Sequence, residues 1–254
     1  FAYDDFCISR YAEMIGDNEV AQQYAIRSQN WKNVFDPETK FMRARVNGGF
    51  AAPFDPYQVN FHYTEANAWQ YRFFVPHAIP ELMELMGGKK EFETELDKLF
   101  NAPTQTTGRE QADITGLIGQ YAHGNEPSHH MAYLYNFIGK PWKTQERVKQ
   151  IIDEQYWNAP DGLSGNEDCG QMSAWYVLSS MGIYSVTPGM EKWESNEPIF
   201  DEIKIKDENG KNLVDYKRQV VNGKTTNRIF LLGEKLKEQM IQKRSATMSQ
   251  FDYS

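Results

Sequence analysis

The stretch "PSHHMAYLYNFIG" (residues 127–139), followed by "TQERVKQIIDEQY" (144–156) and "GQMSAWYVLSSMG" (170–182), decides the fold class. Each run places apolar residues at three- and four-residue steps for about three turns and closes at or near a glycine or a loop, which predicts a helix. The first is entered through "HGNE" (123–126) and the third through "SGNEDC" (164–169), so polar, acidic segments sit at helix starts. Pro127 suits the first helical position, where no N–H is needed.

The same texture extends upstream. Phe6, Ile8, Tyr11, Met14 and Ile15 keep the helical step, Gly16 interrupts it, and Asp17 or Asn18 is placed to cap a second helix, predicting an antiparallel pair. "DPETKFMRARVNGGFAAPFDPYQ" (36–58) is rich in Pro and Gly and holds no period, so it reads as a long loop, and its aromatics favour an ordered one. "TEANAWQYRFFVPHAIPELMELMG" (64–87) is helical in pattern but broken by Pro76 and Pro80, and "KKEFETELDKLFN" (89–101) is a short amphipathic helix. Beyond Ile183 the pattern changes. Phe200, Ile203 and Ile205 alternate with polar neighbours ahead of a Glu208-Asn209-Gly210 turn, which predicts strands. The closing run "GEKLKEQMIQKRSATMSQFDYS" (233–254) is a polar, weakly specified helix.

These elements predict a mainly α protein with a helical domain over 1–183 and a β-strand-containing C-terminal tail over 184–254. Helix pairs separated by long loops are the building scheme of an (α/α)6 toroid. About seven helices are present where a full ring has about twelve, so the expectation is a partial ring or a fragment. The chain opens on "FAYDDFCISRYAEMIGD" with no Met and no basic leader, which reads like the middle of a protein.

Composition narrows the function. A net charge of −8 argues against nucleic acid, and no run of about 18 apolar residues predicts a membrane span. With 14 Tyr, 15 Phe and 6 Trp, the chain has rings for helix packing or for stacking on sugars. Cys7 and Cys169 suggest neither a disulfide framework nor a zinc knuckle. Its two acidic neighbours disfavour Cys169 as a nucleophile.

Three loops carry candidate chemistry. In "NFHYTEANAWQY" (60–71) Glu65 lies among Tyr63, Trp69 and Tyr71, where lost solvation would keep a general acid protonated; the alternative is an acidic residue in a helix's first turn. In "HGNEPSHH" (123–130) Asn125, Glu126, His129 and His130 suit sugar hydroxyls better than zinc, because the His-Glu-x-x-His order is missing; a capped helix without a ligand is the alternative. In "GNEDCG" (165–170) Asn166, Glu167 and Asp168 offer oxygens of the kind Ca2+ prefers, against a plain N-cap turn. In a helical ring such loops converge at one end, which would bring Glu65, Glu126 and Asp168 around one pocket.

"YTEANAWQYRFFVPH", "GNEPSHHMAYLYNFIGKPWKTQ" and "PDGLSGNEDCGQMSAWYVLSSMGIYSVTPG", with "YDDFCISRYAEMIGD" and "FDPETKFMRAR", closely resemble glycoside hydrolase family 92, in order from about residue 2 to about 205. The resemblance implies a calcium-dependent, exo-acting α-mannosidase, often α-1,2-specific, acting on α-mannosides or mannose-rich N-glycans. It also implies an (α/α)6 toroid following an N-terminal β-sandwich domain, with these residues expected to be the later part of the toroid, and export to the periplasm or medium of a bacterium. Glu65 then corresponds to the general acid and Asp168 to the general base, with Asn125 and Glu126 in the pocket for the neighbouring sugar, and with His129 and His130 of the same motif and Trp69 as further substrate-binding residues. Asn166 stands where some members have a second Asp, and with Glu167 it is the expected calcium-ligating position. The family's calcium contacts mannose O2 and O3. Ala66 replaces a frequent Gly, and Ala78 a common Asp. The competing expectations are a sugar-binding or scaffold fragment without activity, and a mannosyl-phosphate hydrolase on the same frame.

Overall fold

A computed structural model gives the structure of residues 1–190 and 192–221, together with 224–225. The last helix expected from sequence, 233–254, lies outside the described residues. The protein is mainly helical. Helices α1 (Ala2–Ile15) and α2 (Asn18–Arg27) form the expected hairpin. Gly16 ends α1 in the left-handed conformation (φ 81°), and the Asp17 carboxylate accepts the Val20 N–H at 3.1 Å to start α2.

The Pro-broken segment yields α3 (Ala68–Tyr71) and α4 (Ile79–Leu85), followed by α5 (Lys89–Asn101). The expected three-turn helix over 127–139 is not formed. Two 3₁₀ turns, Glu126–Ser128 and Met131–Tyr133, lead into the single turn α6 (Leu134–Phe137). The sequence after them supplies α7 (Pro141–Gln155) and α8 (Gln171–Ser180). The 36–58 loop is ordered by short antiparallel pairs, Phe35–Asp36 with Phe41–Met42 and Arg45–Val46 with Gly49–Phe50.

One apolar cluster joins these elements. Phe92, Leu96, Leu99 and Phe100 of α5 meet Val148, Ile151 and Ile152 of α7, Trp175 of α8, and Tyr121, Tyr133 and Tyr135 between them. The Arg72 guanidinium lies inside this core, paired with Glu95 at 2.5 Å and stacked over the Phe41 ring. Apart from Phe6, which stacks on His77, the apolar stripe of α1 faces outward. Tyr11 is 63% and Ile15 57% exposed, while Asp5, Ser9 and Ala12 meet α2, with Asp5 ion-paired to Arg27. The strand reading of the tail holds for Glu202–Lys206 paired antiparallel with Asn212–Lys217, whose turn is pinned by the Asp207 carboxylate accepting the Asn209 and Lys211 amides. Phe200 precedes the strand and is exposed. Ile183, Ile203, Val214 and Tyr216 make a second small cluster under this hairpin.

Candidate active site

The three polar loops come together. The Glu65 loop is tied down by Asn67, which caps α3 through Trp69 N–H and donates to Gln120 Oε1 at 2.9 Å, and by Tyr63, whose hydroxyl donates to Met42 O. Glu65 itself has left-handed backbone (φ 54°), and its carbonyl accepts the Asn125 side-chain amide at 3.1 Å. Asn125 thus holds the Glu65 backbone from the neighbouring loop.

Glu126 follows Asn125 and is half-buried. Its carboxyl is raised above the usual carboxylate range by burial first, then by the charge of Asp168 and a hydrogen bond to it, with a further push from the charge of Glu65. Both outer carboxylates therefore act on the middle one, so residues 65, 126 and 168 share one site. Asp168 and Cys169 also have left-handed backbone (φ 53° and 56°), in the turn that precedes Gly170 and α8. Gly165 and Gly124 allow this loop to lie against the previous one: a Cβ on Gly165 would meet Thr115 Oγ1 at 2.8 Å, and one on Gly124 the same oxygen at 1.9 Å.

Several side chains do other work than the sequence suggested. Glu65 is exposed, not enclosed by its aromatic neighbours, whereas Glu126 is the half-buried carboxyl of the site. Trp69 is a core residue, edge-on to Phe41 and beside Tyr57, and does not offer a face for sugar. His129 and His130 are buried: the His129 ring nitrogens are engaged by His123 O and the Gln171 amide, and His130 Nε2 donates to Phe73 O. Burial lowers each to about 4, so both are neutral and neither is free to hold a hydroxyl. Glu167 caps α8, its two oxygens accepting the Gly170 and Ser173 amides. Asn166 is exposed beside it.

Sequence reading missed His123, Tyr156 and Gln171. They are buried or half-buried polar groups that bind the Glu126 loop to the start of α8. A His and a Tyr flanking apolar runs carry no spacing signal that would have exposed this role.

A sequence model described as the glycosyl hydrolase family 92 catalytic domain matches residues 1–250. An uncharacterized secreted glycosidase of Arthroderma benhamiae is 26% identical over 231 residues, covering 81% of this chain and 27% of that protein. The GH92 α-mannosidase BT3965 of Bacteroides thetaiotaomicron, solved with mannoimidazole, is 37% identical with a TM-score of 0.77, covering 89% of this chain and 32% of that one. The GH92 inverting mannosidase BT2199 of the same species is 37% identical with a TM-score of 0.71, covering 84% and 30%. The chain therefore spans no more than about a third of the length of these relatives. With the family's catalytic-domain model running along nearly all of its length, the chain belongs to glycosyl hydrolase family 92.

Proposed function

We propose that this chain is part of the catalytic domain of a mannosidase, a segment of an (α/α)6 ring, that removes terminal α-linked mannose, with α-1,2 linkages preferred, and inverts the anomeric carbon. Glu65 protonates the leaving glycosidic oxygen. Asp168 takes a proton from a water that attacks the anomeric carbon from the opposite face as the C–O bond breaks. Asn125 and Glu126 lie between the two, where the neighbouring sugar would sit. The observation that carries the reading is the Glu126 carboxyl, which feels Asp168 and Glu65 together and so ties loops about a hundred residues apart to one site. An inverting pair needs about 6.5–9.5 Å between carboxyls to admit the water.

Calcium enters the proposal with the family. Asn166 and Glu167 are the side chains offered to it, but both Glu167 oxygens already accept α8 amides, and Ca2+ takes roughly six to eight oxygens. Among the described residues no cluster of three or more His, Cys, Asp or Glu is arranged to hold a metal. These two residues do not make a calcium site by themselves, and no step above runs through the ion. Export from the cell is part of the same reading, supported by the secreted relative; among the described residues no helix is long and apolar enough to cross a membrane.

The test is release of mannose from α-1,2-mannobiose, followed by NMR so that the first-formed anomer is seen, with and without chelator. Glu65→Gln and Asp168→Asn are each expected to lower turnover by several orders of magnitude with the fold retained. A variant near the wild-type rate removes that residue from its role. The exposed stripe of α1 and the chain's share of its relatives' length favour a second reading, a sugar-binding or scaffold portion that needs further chain for turnover. Absence of turnover even in excess Ca2+ supports it.

A further inference from the structure

Between the Glu65 and Asp168 loops lies a set of hydrogen bonds, joined through the backbone of residues 121–125, whose protons can be assigned. On the Glu65 side it begins with the Asn125 amide on Glu65 O. On the Asp168 side it has two strands. In the first, Tyr121 Oη, His123 and Tyr156 Oη are joined at 2.8 and 2.7 Å, and Tyr156 Oη reaches Met172 O at 2.9 Å. Met172 O only accepts, so it takes the Tyr156 proton; the Tyr156 oxygen then accepts from His123 Nε2–H, and His123 Nδ1 accepts from Tyr121. In the second, His123 O takes the His129 Nε2–H at 2.8 Å, which leaves His129 Nδ1 to accept from Gln171 at 3.1 Å, while His129 O accepts the Trp175 indole N–H. Both strands end on the first turns of α8. Asp168 is bound to that turn by its own carbonyl, which accepts Gln171 N–H, and by the Glu167 cap.

We infer that His123 and Tyr156 are positioning residues: with Asn125 and His129 they form an uncharged bridge that sets where the Asp168 loop stands relative to Glu65. The inference rests on the proposed acid and base roles. Its consequence is geometric. Attack by water in an inverting site depends on the gap between the carboxyls, and a displacement of about 1 Å costs on the order of a hundredfold in rate. A second proton on His123 would take away the acceptor of the buried Tyr121 hydroxyl. Burial lowers His123 to about 2, so the bridge keeps one protonation state at any pH at which the protein works.

Tyr156→Phe tests this, because it removes only the hydroxyl and keeps the ring parallel to Trp175 and against Tyr176. In this chain, amide hydrogen exchange over 167–175 is expected to speed up about tenfold or more, with α5 amides unchanged. No change at 167–175, or an equal rise in α5, overturns the inference. In protein that turns over an α-mannoside, kcat is expected to fall about 10- to 100-fold with KM within about twofold and the pH profile unmoved. A lowered Tm with unchanged kcat overturns it as well. A wild-type protein that hydrolyses no α-mannoside counts against the proposed function, while the exchange result still decides whether the bridge holds the loop.

Discussion

The three histidines of the site wall make stability depend steeply on pH. His123, His129 and His130 are buried and neutral, with burial lowering them to about 2, 4 and 4. In the unfolded chain each returns to about 6.5. Below that pH the unfolded state binds more protons than the folded one, so their contribution is complete above about pH 6.5 and is lost as pH falls. At pH 5 each gives up about 2 kcal/mol, roughly 6 kcal/mol for the three, which is comparable with the whole stability of an ordinary domain. Glu126 works in the opposite sense, because its raised carboxyl lets the folded state take up a proton early. Urea unfolding at pH 7, 6 and 5 is expected to show ΔG falling by several kcal/mol across that range. His130→Gln should flatten the slope by about 1 kcal/mol per pH unit between pH 6 and 5 even as it lowers stability overall. A ΔG constant within about 1 kcal/mol from pH 7 to 5 would refute the argument, since it would mean that these rings are protonated within the fold.

The buried Arg72–Glu95 pair makes a second prediction. Glu95→Ala strands a guanidinium in the core and is expected to cost about 3–5 kcal/mol in denaturant unfolding, whereas the double change Arg72→Met with Glu95→Leu recovers most of it; equal losses in the single and double variants would contradict this. Cys169 is exposed and holds left-handed backbone, so Cys169→Gly is expected to raise Tm slightly, by roughly 0.5–1 kcal/mol of stability. A fall in Tm would show that the side chain holds the turn.

Much of the framework was legible because its signals are local. Asp17 caps α2, Pro76 lies in the break between α3 and α4, and the turn at Glu208-Asn209-Gly210 joins the two strands of the tail. The convergence of the three acidic loops followed from their shared place between elements of one helical array. What failed was direction. The α1 period is real, but spacing alone does not say which side the neighbours occupy, and the face meeting α2 carries Asp5, Ser9 and Ala12. His129 and His130 were judged as positions on an α-helix. The backbone there is a pair of 3₁₀ turns whose different rotation per residue sends both rings inward. Glu167 and Asp168 are adjacent and alike in sequence, yet one caps a helix and the other reaches the Glu126 carboxyl, a division set by the left-handed turn between Asp168 and Gly170.

That turn also explains why the site is built from so much buried hydrogen bonding. Glu65, Asp168 and Cys169 are three of the five non-glycine residues with positive φ among those described, and each is less stable there than in ordinary backbone by about 1 kcal/mol or more. Such conformations persist only where neighbours hold them. Asn125 supplies the hold at Glu65, and the Glu167 cap with the α8 carbonyl and indole contacts supplies it at Asp168. Left-handed backbone turns a side chain away from the direction its neighbours take, so it can aim one carboxylate out of a packed loop while the residues on either side stay bonded inward. Glu65 and Asp168 are exposed for this reason, although Ala66 next to the first is fully buried and Met172, four residues past the second, is buried too. Two of the strained positions are therefore those whose carboxylates the proposed reaction requires to project, and the buried hydrogen bonds beside them hold the backbone of both loops.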